Sequence, residues 1–173
     1  MKISFTALTS FDQLRGGTYI VLLHLTQPPP HIILLHNGLC YSLHSTGKQD
    51  GDSCELLFQL IRRRSLSAAF VTWQLPAPAA AASQLTEILA PHSRVEVGGA
   101  TCLLPVRILA EKQGTTAAAS CKFIFELLPL LSETGQLGEC FSINYNAPEF
   151  QLPVYTAADI DAAILRTATE VTG

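Results

Sequence analysis

The sequence HIILLHNGLCYSLH, residues 31–44, decides the fold. Two apolar six-residue runs flank an Asn-Gly pair, the dipeptide preferred in a two-residue type I′ hairpin turn. If His36 pairs with Leu39 across this turn, the register places His31 opposite His44. That position is non-hydrogen-bonded, so the two Cβ atoms approach to about 4.5–5.5 Å. We therefore expect the two imidazoles to touch.

The two faces of this hairpin are expected to differ. The histidine face also carries Ile33, Leu35, Cys40 and Ser42. The opposite face is expected to pack on a core, and it holds Ile32, Leu34, Tyr41 and Leu43.

Outside the hairpin, the chain alternates strand-like and helix-like segments. The pattern predicts strands at 18–26 and 68–75, and weaker ones at 95–97 and 102–106. It predicts helices at 54–64, 83–90, about 114–129 and from 157 after an N-cap at Thr156. These elements indicate an α+β protein, with an antiparallel sheet or small barrel packed against helices.

Composition bounds the class of protein. The 173 residues fit a single domain spanning 1–173, and 48% apolar against 14% charged residues exclude a disordered chain. A net charge of -3 gives no basic surface for nucleic acid. No apolar run is long enough to cross a bilayer and no secretory signal is visible, so we expect a cytoplasmic protein or unconventional export. So few charges suggest that a partner, such as a second copy, covers some apolar surface.

Nucleophilic chemistry requires a thiol that can ionise beside a base. The five cysteines show no CxxC or CxxH spacing, which favours reduced thiols over a disulfide framework. Cys121 is the best placed of them, at the start of an expected helix, and Cys40 on a strand ranks behind it. His31 would be its base and His44 would orient that base. Two imidazoles and a thiol also suit zinc, but no fourth ligand stands at useful spacing.

These segments resemble a known family. Residues 30–47 are similar to the catalytic-histidine hairpin of NlpC-like cysteine peptidases, and residues 120–128 are similar to their nucleophile helix. The histidine precedes the cysteine, as in the circularly permuted branch that includes the lecithin retinol acyltransferase-like enzymes. Pro30 and Lys122 depart from the residues usual beside the histidine and the cysteine.

The resemblance implies a papain-like fold and a cysteine-dependent hydrolase or acyltransferase. Cys121, His31 and His44 would form a Cys-His-His triad acting on an amide or ester, without a cofactor. The expected substrate is a peptide or a lipid-like acyl compound. The alternative is a catalytically inactive binding or adaptor domain of the same fold, which Lys122 and the high apolar fraction favour.

Overall fold

The computed structural model describes residues 1–170, and the side chains of residues 1–167. Nine strands and five α-helices are found in this part of the chain. The strands are β1 Lys2–Ser4, β2 Thr6–Ala7, β3 Thr18–Leu23, β4 His31–His36, β5 Leu39–His44, β6 Gly47–Ser53, β7 Ala68–Trp73, β8 Leu137–Ile143 and β9 Glu149–Gln151. The helices are α1 Cys54–Arg64, α2 Ala81–Leu89, α3 Leu104–Lys112, α4 Ile124–Glu133 and α5 Ala157–Glu170.

Seven strands form one mixed sheet with the order β2-β8-β7-β3-β4-β5-β6. Only the short β2–β8 pairing is parallel, and every other neighbour is antiparallel. Strands β1 and β9 form a separate antiparallel pair. The fold is therefore α+β, as predicted, and β2 and β6 are the two edges of an open sheet.

The three pairs of β4 and β5 nearest the turn have the predicted register, and the predicted pairing of His31 with His44 is not part of the ladder. Leu34 pairs with Tyr41 and His36 pairs with Leu39. Asn37 and Gly38 have φ angles of 49° and 78°, which a type I′ turn requires. The ladder comprises the three pairs nearest the turn. Beyond Leu34 the two strands separate, so their far ends are open to another part of the chain.

Both faces of the sheet are buried. One core joins alternate strand residues such as Leu34 to α2, α3 and α4. The other joins the intervening residues such as Leu35 to α1 and to the short 3-10 helix Phe11–Leu14. The histidine face of the hairpin is thus also a core face, because α1 covers it.

Three predicted elements are wrong. Residues 102–106 are not a strand, because α3 starts at Leu104. Pro105 lies in the first turn of this helix, where a backbone N–H has no partner within the helix and proline is therefore tolerated. The helix predicted from about 114 is divided into a 3-10 helix, Thr116–Ser120, an extended segment and α4. Pro129 lies inside α4 instead of ending it. Residues 95–97 form a loop.

Helices α1 and α5 begin as the sequence predicts. Ser53 Oγ accepts the backbone N–H of Glu55 at the start of α1. The Asp159 carboxylate accepts the N–H and hydroxyl of Thr156, and Thr156 Oγ1 accepts the N–H of Asp159, which completes a capping box for α5. In the described part of the chain, the helices are too short or too polar to cross a membrane.

Candidate functional site

The separated ends of β4 and β5 open into a cavity of about 450 Å³. His31 and His44 both line it. The remaining walls come from the proline loop 28–30, α1, the segment before α3, and α5. They are mainly apolar, and include Leu23, Leu60, Leu66, Val95, Leu103, Tyr155, Ile160 and Ile164. The predicted histidine pair therefore faces a chamber that suits an apolar ligand.

His31 lies close enough to His44 for their charges to interact. Burial, together with the neighbouring His44 and His24, lowers the pKa of His31 from the ordinary 6.5 to about 4. Both imidazoles are half-buried. At neutral pH His31 is therefore uncharged and able to accept a proton.

His44 is held in one orientation by its own turn. Its Nδ1 lies 3.0 Å from the Thr46 hydroxyl. A Cβ at Gly47 would lie 3.3 Å from His44 Cε1, so the glycine allows the ring to pack against the backbone. The carbonyl of His44 accepts the N–H of Val95 at 3.1 Å, which attaches the segment before α3 to the end of β5.

The histidine pair shares its cavity with the thiol of Cys102. Cys102 lines the same cavity, two residues before α3 begins. The backbone N–H of Ile32 donates a hydrogen bond to its sulfur, which opposes the rise in the Cys102 pKa caused by burial. Ile32 follows His31 directly in β4.

The N-terminus of α3 adds positive potential at this thiol. Helix α3 has no side-chain cap, and the N–H of Leu104 bonds to the carbonyl of Thr101. The first backbone N–H groups of a helix carry partial positive charge. Tyr155 is buried on the other side of Cys102, near enough for the thiol to raise its pKa. The N–H of Ile124 donates to the tyrosine oxygen.

The structure does not bring Cys121 into this cavity. Cys121 lies at the end of the 3-10 helix with extended backbone, φ -72° and ψ 125°, and lines a second cavity of about 690 Å³. Glu126 caps α4 by accepting the N–H groups of Lys122 and Phe123 at 2.6 and 3.2 Å. Burial raises the pKa of Cys121, and the Glu126 carboxylate raises it further, although Arg107 lowers it. A negative cap thus disfavours the thiolate at this position.

The other candidates have structural roles. Cys40 lies in the core against α1, where burial raises its pKa to about 12. His36 is buried beside the turn, and its Nδ1 lies 2.8 Å from the Thr18 hydroxyl. Among the described residues, no group of three or more His, Cys, Asp or Glu side chains is arranged to hold a metal ion.

Sequence reasoning overlooked Cys102 because residues 102–106 look like a short strand. Two signals indicated a helix start instead. Gly98 and Gly99 precede Cys102, and Pro105 stands where the first turn of a helix tolerates proline. Placing a helix there would have given Cys102 the position that was assigned to Cys121.

No match emerges when the chain is compared with protein-family models, with curated proteins or with solved structures. The resemblance to NlpC-like peptidases stays a prediction based on residues 30–47 and 120–128.

Proposed function

We propose that this protein is a cysteine-dependent hydrolase or acyltransferase acting on an ester or amide, with Cys102 as nucleophile. His31 is the base and His44 orients it. One observation carries the proposal: Cys102, His31 and His44 line the same cavity, and the sulfur of Cys102 accepts the N–H of Ile32, the residue after His31. Cys121 as nucleophile stays a prediction that the same experiment tests.

Before a substrate binds, the Cys102 thiol and the His31 imidazole are both uncharged. Burial raises the pKa of the Cys102 thiol and lowers that of His31. The thiol therefore keeps its proton until a substrate carbonyl is in place, and His31 accepts that proton as the sulfur attacks. This is general-base activation of the nucleophile, as in serine hydrolases, instead of a preformed ion pair.

The reaction proceeds in two steps. Cys102 transfers its proton to His31 and attacks the carbonyl carbon, forming a tetrahedral oxyanion. The oxyanion collapses to a thioester, and the leaving alkoxide or amine takes the proton back from His31. Water, or an acceptor alcohol or amine, then loses a proton to His31 and attacks the thioester, which releases the acyl group and restores the thiol.

Charge on the oxyanion would be stabilised by the partial positive charge at the N-terminus of α3, although the Leu104 N–H already bonds to Thr101 and Pro105 has no N–H. This uncapped terminus adjoins Cys102, and its partial positive charge is fixed before the reaction begins. The phenol of Tyr155 is a second donor beside the thiol. Both groups lie in a partly dry chamber, where such interactions are stronger than in water.

The apolar walls support a lipid-like acyl group over a charged peptide as the occupant. Leu60 of α1 and Ile160 and Ile164 of α5 line the cavity. Burial of an alkyl chain there contributes about 0.8 kcal/mol per methylene. In the chain, the two histidines of the hairpin come before the cysteine that precedes α3. This order also supports a permuted papain-like architecture.

Hydrolysis of ortho-nitrophenyl octanoate tests the proposal. We expect Cys102→Ala to lower kcat/KM by about a thousandfold or more, because no thioester can form. His31→Gln should lower kcat/KM by a similar factor, because His31 is the proposed base. Cys140→Ala is the matched control, a half-buried thiol on β8 away from this cavity. Loss of turnover in Cys121→Ala but not in Cys102→Ala would overturn the assignment.

A second candidate is a binding domain that does not turn its ligand over. The raised pKa of all five cysteines favours it, because none of the thiols is ionised at neutral pH. In that case octanoate esters would bind without Cys102-dependent release of nitrophenol.

A further inference from the structure

Strand β3 ends at a histidine with an unusual backbone conformation. His24 follows the last residue of β3 and has a φ of 61°, in the left-handed region that side chains seldom adopt. In a continued strand, His24 and its neighbour Leu23 would point to opposite faces of the sheet. Both residues instead line the cavity of the site, together with His31, the partner of Leu23 in the β3–β4 ladder.

Three hydrogen bonds hold the chain in this conformation. The N–H of His24 donates to the carbonyl of Ser67 at 2.9 Å, and its carbonyl accepts the N–H of Gln27 at 2.9 Å. The N–H of Leu25 donates to the Ser67 hydroxyl at 3.0 Å. Glycine or asparagine would adopt the same backbone with less strain. The turn therefore does not by itself require a histidine, and strain of this kind is typical of functional sites.

The ring of His24 has no structural partner that explains it. Among the residues that the structure describes, this imidazole forms neither a hydrogen bond nor an ion pair. The rings of His36 and His44, in contrast, lie within hydrogen-bond distance of Thr18 and Thr46. A half-buried imidazole without a partner in a cavity wall indicates a role in that cavity.

The charge of His24 acts on His31. It is one of three causes that lower the pKa of His31, after burial and the charge of His44. In the described part of the chain, no carboxylate lines this cavity. Besides the three histidines, its charged or titratable groups are Cys102, Lys122, Tyr155 and Arg166. A proton on His24 therefore places a charge near His31 that no acidic side chain of the cavity neutralises.

We propose that His24 is a positioning residue of the site, a third histidine of the cavity that acts on the reaction through His31 and not by contact with the substrate. The inference rests on the proposed function and adds a control on its base. In mild acid an imidazole takes up a proton, and a charge on His24 opposes a second charge on His31. His31 thus accepts the Cys102 proton at a lower pH than it would alone.

Titration of His31 followed by NMR tests this coupling without turnover. The ring signals of His31, assigned by their loss in His31→Gln, give the midpoint of its protonation. We expect His24→Asn to raise this midpoint by at least about 0.3 pH unit, because a nearby like charge is removed. Asparagine tolerates the left-handed backbone, so the turn should be kept. His24→Gly removes the strain as well as the ring and should give the same shift.

His92→Asn is the matched control, since this half-buried histidine follows α2 and lies outside both cavities. Its substitution should leave the His31 midpoint where it is in wild type. An unchanged midpoint in both His24 variants, or an equal rise in His92→Asn, would overturn the inference.

The pH dependence of kcat/KM for ortho-nitrophenyl octanoate tests the link to catalysis. We expect the acid limb of the profile to move to higher pH in His24→Asn, by the same amount as the His31 midpoint. A loss of kcat/KM by one factor at every pH, with KM raised, would overturn the inference, because His24 would then contact the ester. A shifted His31 midpoint without any Cys102-dependent hydrolysis would refute the proposed function and leave the coupling of the two histidines standing.

Discussion

The imidazole of His31 is kept neutral by its surroundings. It begins β4 in a half-buried position, with two further histidines near enough to oppose its protonation. Burial opposes the charge that protonation would add. The low pKa links folding to pH.

Stability should therefore decline in mild acid. The pKa of His31 is about 4 in the folded protein against 6.5 for the free side chain, so the unfolded chain binds an extra proton between these values. The His31 contribution is fully present above pH 6.5 and is lost as the pH falls toward 4, about 3 kcal/mol in all. Urea unfolding of wild type and His31→Gln at several pH values measures it. Parallel pH profiles for the two proteins would contradict this account.

The Cys102 thiol should react slowly with alkylating reagents. Burial raises its pKa above the ordinary 9.0, so little thiolate exists at neutral pH. We expect iodoacetamide to label Cys102 more slowly than free cysteine at pH 7, with a rate that still rises above pH 9. Peptide mapping of timed samples gives the rate. Faster labelling than free cysteine at pH 6 would indicate a preformed ion pair instead.

At the scale of elements, the β4–β5 hairpin positions the whole site. Its turn sets the register of the three nearest pairs, and both histidines lie at the ends of the strands farthest from the turn. Gly38 has φ 78°, and a Cβ there would lie 3.3 Å from the carbonyl oxygen of Arg15. Both strain and crowding therefore oppose any other residue at this position.

Gly38→Ala should destabilise the protein by about 1–2 kcal/mol. Gly16→Ala is the control, because its Cβ would meet nothing within 4 Å and the backbone there does not need a positive φ. The midpoints of denaturant unfolding of the two variants, compared with wild type, measure the loss of stability. An equal small effect in both would show that the turn tolerates a side chain.

The hairpin could be predicted from sequence because its signals are local. An Asn-Gly pair between two apolar runs determines turn type, register and facing residues together. The start of α3 is harder to predict from the sequence, because Cys102, Leu103 and Val106 suit a strand as well as a helix. The division before α4 depends on Glu126 capping residues 122 and 123, a contact that no periodicity reveals.

At the scale of the whole molecule, the sheet separates two hydrophobic cores, one packed on each of its faces. Leu34 and Leu35 are neighbours in β4, are fully buried and face opposite cores. The sequence predicted burial for the face of Leu34. Burial of the other face depends on α1 and the segment 11–14 folding over it, which no local pattern specifies.

Leu34→Ala and Leu35→Ala should each cost about 2–5 kcal/mol, because each leaves a cavity in a filled core. Chemical denaturation measures both. A cost below about 1 kcal/mol for Leu35→Ala alone would indicate that the α1 face is loosely packed.

The meeting of residues 31, 44 and 102 is likewise a property of the whole molecule. The histidine pair follows from the hairpin, but the choice among five thiols depends on where α3 docks. The second cavity, with Cys121 on its wall, depends on α3, α4 and α5 together.

The most direct measurement is peptide mapping after brief exposure of the protein to ortho-nitrophenyl octanoate and acid quenching. The account predicts an octanoyl thioester on Cys102, present in wild type and in Cys121→Ala and absent in His31→Gln. An acyl group found on Cys121 instead, or spread equally over several cysteines, would contradict it.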